Sequence, residues 1–227
     1  MTYVARFCIA ISFSLALHIT TAWSNEVNPH NYDYFVNNIF WNTLYNNSGG
    51  WTLYCGYRFD QEGRSHEGRA KGIEHIYAID WMIDHFECNN RRECHANIEK
   101  FRRMEADLHN IYPVWSPLLT HRYDLAFAEI EGEDSRFEDC DFEWNASVVE
   151  PRTLARGNVA RSILYMVTRY DLPILAEHLE TLKKWHKEDE PSTQEKVRNE
   201  RIEKLQGQRN PYIDSPTLAD DSRFLKK

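Results

Sequence analysis

The chain has 227 residues and a formal charge of −8, from 35 acidic and 27 basic side chains. Aromatic residues make up 13 %, against only 9 glycines and 8 prolines, which excludes a long low-complexity or collagen-like chain. The acidic balance is unlike the uniformly basic surface of a typical nucleic-acid binder, so any such role must rest on a local field.

The N-terminus reads as a secretory signal. Arg6 is followed by an apolar run from Phe7 to Ile19, about thirteen residues and too short for a comfortable bilayer span. Ala22-Trp23-Ser24 puts small residues at the −3 and −1 positions, so cleavage is expected after Ser24. Residues 1–24 are then a leader, 25–215 one domain and 216–227 a flexible tail. Losing Arg6 lowers the charge by one unit. No second long apolar run follows, so the mature protein is expected to be a secreted or periplasmic monomer without membrane attachment. Of five cysteines, Cys8 leaves with the leader. Cys55, Cys88, Cys94 and Cys140 remain, and no Cys-x-x-Cys occurs. An even set in an exported chain favours two disulfides over a zinc site, each contributing roughly 2–4 kcal/mol. Three pairings are open.

In chain order, Tyr34, Phe35, Ile39, Phe40 and Leu44 fall at helical spacing and predict a helix over 31–48, stopped at Ser48-Gly49-Gly50. Alternation of Trp51, Leu53, Cys55, Tyr57 and Phe59 predicts a strand over 51–59, followed by a polar loop over 60–70. The β-branched stretch Gly72–Tyr77 predicts a strand, 78–86 an aromatic wrap, and Cys88–Cys94 a polar loop. Ile98, Phe101, Met104, Leu108 and Ile111 share one helical face and predict a helix over 97–111, ended by Pro113 and Pro117. An irregular acidic stretch covers 118–142. Helices are predicted from Pro151 to Tyr170, from Pro173 to Lys187 and from Thr193 to Gln206, the last closed by Gly207.

The chemistry concentrates at Glu74-His75, inside Ile73-Glu74-His75-Ile76-Tyr77. A carboxylate can hold a divalent cation, and an imidazole titrating near neutrality can take a proton from water. Adjacent strand residues point to opposite faces, so the two converge on one phosphate only where the strand is distorted or ends. Basic residues gather nearby in sequence: Arg91, Arg92, Lys100, Arg102 and Arg103, then Arg152, Arg156, Arg161 and Arg169. Neither a Gly-x-Ser-x-Gly nucleophile elbow nor a phosphate-cradling Gly-x-x-x-x-Gly-Lys loop is present.

Four further segments extend the pattern. They are Met104-Glu105-Ala106-Asp107-Leu108-His109-Asn110; Val149-Glu150-Pro151 with Ala155-Arg156-Gly157 and Ala160-Arg161; Tyr165-Met166; and Asn199-Glu200-Arg201-Ile202 with Gln206-Gly207 and Asn210-Pro211. In this order and spacing, residues 50–215 resemble the bacterial endonuclease I family of exported, non-specific nucleases. The resemblance implies an α+β fold: a ββα-metal (His-Me finger) core surrounded by several α-helices and stapled by Cys88–Cys94 and Cys55–Cys140. It implies Glu74 as metal ligand, His75 as general base and Arg91 as the phosphate-binding residue, with Arg92 as the alternative. It implies Mg²⁺, or another divalent cation such as Ca²⁺ or Mn²⁺, and DNA as substrate with RNA as a second candidate. Arg156, Arg161 and Arg201 either buttress the fold or contact nucleic-acid backbone. The chain departs from the pattern at the second metal ligand. The family's Asn falls on Leu119 in an ungapped comparison, which leaves His121, Asp124, Asn110 or no protein group at all. The Pro expected three residues after the catalytic His is Ala78. The competing reading is a catalytically weakened nucleic-acid-binding protein or secreted effector on the same scaffold.

Overall fold

A computed structural model describes residues 31–45, 49–60, 69–132 and 139–220. The expected leader and the tip of the tail lie outside the described residues. The fold is α+β. At its centre β3 (Lys71–His75) pairs antiparallel with β4 (Ile111–Trp115), in a register that sets Glu74 opposite Tyr112 and His75 opposite Ile111. Strand alternation divides this pair into two faces. Ile73 and Ile111 point into a smaller apolar cluster with Phe35, Phe40, Leu44, Leu108 and Ile202. Tyr112 and Val114 point into the main core with Tyr54, Leu118, Phe127 and Phe142.

The smaller cluster is supplied by the N-terminal segment, where α1 (Tyr32–Tyr34) runs on as a wider π-type helix over Phe35–Leu44. Next come β1 (Gly50–Trp51) and β2 (Arg58–Phe59), paired with each other, with Phe59 packed on Trp41 and Tyr45 of that segment. The single strand expected over 51–59 is therefore two short strands around a turn. Leu53 and Tyr54 are both buried there, and Gly56 has φ +69°, a backbone that breaks the alternation.

Between β3 and β4 run α2 (Ile79–His85), α3 (Arg91–Asn97) and α4 (Glu99–Glu105). α3 starts inside the stretch expected to be a polar loop, because the Asn90 side chain accepts the amide of Glu93 and caps it. The helix expected over 97–111 stops at Glu105. Asp107 Oδ1 accepts the His109 amide and the Gln206 side chain, while Oδ2 accepts the hydroxyls of Tyr165 and Tyr170. That buried carboxylate holds a turn in which the chain changes from helix to β4. Pro113 is tolerated in β4 because its carbonyl still accepts Leu53 N–H.

After β4 come a 3₁₀ turn (Ser116–Leu118), the short α5 (Leu119–Arg122), and a small sheet in which β7 (Val148–Pro151) lies between β5 (Ala126–Phe127) and β6 (Phe142–Trp144). α6 (Thr153–Tyr170) is the core helix, with Ile163, Leu164, Met166 and Val167 all buried. α7 (Ala176–Glu188) packs on it. α8 (Thr193–Gln206) opens on a capping box between Ser192 and Glu195 and ends at the left-handed Gly207. α9 (Pro211–Asp214) follows. Order continues past the expected tail boundary into a 3₁₀ segment, Pro216–Asp220, where Ala219 is buried and Pro216 O accepts His186 Nε2–H. Two disulfides are present. Cys88–Cys94 closes a short loop under α3, and Cys55–Cys140 joins positions 85 residues apart.

Candidate active site

β3 ends at His75 because Asn110 captures the next turn. Ile76 N–H donates to Asn110 O, Tyr77 N–H to Asn110 Oδ1, and Asn110 Nδ2 to Tyr77 O. Glu74 and His75 nevertheless leave the strand on opposite faces, and the two share no partner among the described residues. The expected convergence on one hollow is therefore absent from this conformation: the strand remains regular through His75, so ordinary alternation applies.

On its face His75 is 8 % exposed. Its Nε2–H donates to Glu105 O at 2.9 Å, and the Tyr32 hydroxyl stands 3.3 Å from the same nitrogen. The Tyr32 ring stacks on the imidazole with centroids 5.9 Å apart. Burial lowers the His75 pKa to about 4, the Glu105 carbonyl opposes this, and the Arg91 charge adds to the lowering. The ring is neutral at physiological pH. With Nε2 carrying the proton, Nδ1 holds a lone pair and makes no hydrogen bond to the described residues.

The Glu105 carboxylate anchors the surroundings. Arg91 Nε lies 2.5 Å from Oε1 and His95 Nδ1 2.6 Å from Oε2. Arg91 also crosses the Tyr32 ring at 4.5 Å and keeps 44 % of its side chain exposed. Arg92 is exposed and without a hydrogen bond or ion pair among the described residues. The site thus gathers Tyr32, His75, Arg91, His95 and Glu105 from four elements. Of these, Tyr32, His95 and Glu105 carry no role in the sequence reading, although Glu105 belongs to one of the recognised segments.

On the other face Glu74 is 5 % exposed, with Arg122 Nε 3.6 Å from Oε1. Burial raises its pKa to about 7, against the pull of Arg122 and the Tyr54 hydroxyl. Arg122 is fully buried. It donates to Tyr123 O and Ile76 O, and its guanidinium lies 4.4 Å from the Phe127 ring centroid. Tyr54 Oη and Arg122 Nε, both beside Glu74, are buried without a hydrogen-bond partner among the described residues.

The family model described as Endonuclease I matches residues 14–217. The chain belongs to the endonuclease I family. As a member it is an endonuclease, a hydrolase of phosphodiester bonds. It is 28 % identical over 186 residues to an extracellular deoxyribonuclease of Aeromonas hydrophila, covering 72 % of this chain and 81 % of that protein. A periplasmic deoxyribonuclease of the same organism is 31 % identical over 169 residues, with coverage of 70 % and 69 %. An extracellular ribonuclease of Bacillus amyloliquefaciens is 29 % identical over 178 residues, with coverage of 68 % and 58 %.

Endonuclease I proteins are generally dependent on a divalent cation. The residues around Glu74 do not fit one. A hard cation takes six or more oxygens or keeps several waters, and it is repelled by a neighbouring guanidinium. Here a single carboxylate already faces Arg122, and no group of three metal-capable side chains occurs among the described residues. Leu119, at the position of the family's Asn, packs its methyls against Gly72 on the Glu74 face, where even a Cβ on Gly72 would approach to 2.7 Å. Asn110 has spent its amide on Tyr77. His121 packs on the Trp144 ring at 4.1 Å, which directs it elsewhere. Asp124 is held at α2, where its carbonyl accepts Trp81 Nε1–H and its charge acts on Asp80.

Two of the later arginines, Arg161 and Arg156, pair with carboxylates inside the fold. Arg161 is fully buried and forks onto Glu195 through two 2.7 Å bonds, and Arg156 pairs with Glu150 at 2.5 Å. Arg161 has no surface from which to meet a phosphate.

Proposed function

We propose that this endonuclease cuts DNA, and RNA as a second substrate, without strong sequence preference, and that His75 is its general base. It is an exported protein, extracellular or periplasmic. No helix of the described residues is long and apolar enough to cross a membrane. The observation that carries the mechanism is the His75 tautomer: a neutral imidazole whose Nε2–H is spent on Glu105 O, leaving the Nδ1 lone pair for water. In the proposed step Nδ1 takes a proton from water as its oxygen attacks phosphorus. The bond to the 3′ oxygen then breaks, and that oxygen is reprotonated from solvent. Arg91 grips the phosphate oxygens, with Glu105 fixing the guanidinium from behind. In this reading the β3–β4 pair and the short helix after it form the ββα finger, and Glu74 with Arg122 holds it together from the core side.

The experiment is plasmid cleavage by His75→Ala. General-base removal is expected to cost about 10³-fold in rate with an unchanged fold. Equal cleavage by wild type and variant would remove the mechanism. Chelation is the companion arm. With its one carboxylate already paired, the chain is expected to need millimolar rather than micromolar Mg²⁺ for half-maximal rate, read from an EDTA-buffered titration. The second reading, a weakened binder on the nuclease scaffold, is favoured by Leu119 and the Glu74–Arg122 pair. It predicts DNA binding without turnover at any Mg²⁺ concentration.

A further inference from the structure

A cleft of about 690 Å³ opens between β1, the start of α6 and the α8 segment, and none of Tyr32, His75, Arg91 or Glu105 lines it. Its walls carry an unusual pairing of groups. Trp51 is 55 % exposed, and Leu154 and Val197 present further apolar surface beside it. Three arginines reach the same space, and none makes an ion pair among the described residues. Arg152 donates to Leu53 O, Arg198 to Leu108 O, Ile111 O and the Tyr45 hydroxyl, and Arg201 to Leu44 O. Carbonyls fix these guanidiniums without neutralising them.

Two carboxylates also border the cleft. Glu195 is forked by Arg161, whereas Asp189 accepts only the neutral Gly157 amide, so its charge remains and acts on Arg152. With three guanidiniums against that one carboxylate, the cleft lining carries net positive charge on a protein whose formal charge is −8. The first turns of α6 and α8 add their amide dipoles to it. The room for Arg152 comes from Gly56, where a Cβ would sit 2.9 Å from the guanidinium carbon.

A half-exposed indole among guanidiniums in excess of carboxylates suits a ligand with a flat π-face and a repeating negative charge. Duplex DNA hides its base faces, whereas a single strand offers both. We propose that this cleft is a second nucleic-acid subsite, in which a single-stranded stretch of substrate stacks one base on Trp51 and lays its phosphates on Arg152 and Arg201. The inference deepens the nuclease reading and rests on it. The subsite anchors a strand away from His75, so the enzyme keeps hold of a polymer between cuts.

The test uses the full-length His75→Ala protein, so that binding is read without cleavage, with a fluorescent twelve-nucleotide oligothymidylate and anisotropy at several salt concentrations. Adding Trp51→Ala is expected to weaken binding about ten-fold through lost stacking. Arg201→Gln is expected to reduce the salt slope by about 0.7, the value for one phosphate contact on a single strand. Val197→Glu, on the exposed wall of α8, gives an independent variant should Trp51→Ala fold poorly, and it too is expected to weaken binding. Affinity unchanged in Val197→Glu and in the folded cleft variants, or no binding by the parent, overturns the subsite. The cleavage assay of His75→Ala with an intact cleft judges the nuclease mechanism separately.

Discussion

The two faces of the β3–β4 pair treat neighbouring residues in opposite ways. Glu74 and His75 are buried to almost the same degree, so burial does not distinguish them. Their partners do. Glu74 meets a buried guanidinium of opposite charge, an arrangement that ties α5 to β3. His75 meets a backbone carbonyl, which orients the ring and leaves the Nδ1 lone pair unengaged, with Arg91 near enough for its charge to act on the ring. Acidic and basic side chains in one motif need not serve one reaction; on the proposed reading alternation assigns one to cohesion and the other to chemistry.

That division can be broken most directly at Arg122. Arg122→Met leaves buried Glu74 without its counter-charge and is expected to cost about 3–5 kcal/mol in urea unfolding at pH 8, less at pH 6 where Glu74 takes up a proton, with most of it regained in the Glu74→Gln/Arg122→Met double variant. A neutral single variant would mean that the pair is not what holds this face. The disulfides sharpen the contrast. Cys55–Cys140 braces the Tyr54 side and closes the longer loop, so its removal is expected to cost about 4 kcal/mol of stability with activity retained in the folded fraction. Opening Cys88–Cys94 is expected to cost about 2 kcal/mol but to raise KM, because that bridge seats the helix bearing Arg91. Equal effects of the two on KM would erase the distinction.

The smallest effects come from pH. The folded pKa of His75 lies near 4, below 6.5, so the unfolded chain binds the extra proton between those values and stability falls as pH drops through that window. His109, also lowered to about 4 by burial, acts in the same direction. Glu74 opposes both. Its folded pKa near 7 exceeds 4.5, so the folded chain takes up that proton and gains stability as pH drops from 7 towards 4.5. Glu74→Gln is therefore expected to lose stability on acidification more steeply than wild type, by on the order of 1–3 kcal/mol across pH 7 to 4.5. Thermal melts at several pH values check it, and parallel curves would contradict the assignment.

What could be read from the chain follows the reach of each signal. The limits of α8 are legible because Ser192, Glu195 and Gly207 act within one turn of the residues they cap. β4 is not, since Leu108 and Ile111 keep a helical period while Asp107, bound to three distant side chains, turns the backbone away. His75 stands out by residue type and motif. Glu105 and Tyr32 do not, because they become its neighbours only after the chain has closed across 30 and 43 residues. The departure at Leu119 is visible as a missing ligand, but Arg122 as the group facing Glu74 depends on how α5 folds back, which no local pattern encodes.

The bridge between Cys88 and Cys94 has a consequence for the cell that makes the protein. In a reducing interior those thiols stay unbonded, and the helix that carries Arg91 lacks its covalent tie. Chains still inside the cell are therefore expected to cut more weakly than exported ones; a Cys88→Ser/Cys94→Ser variant that cuts as fast as wild type would reduce the bridge to a brace.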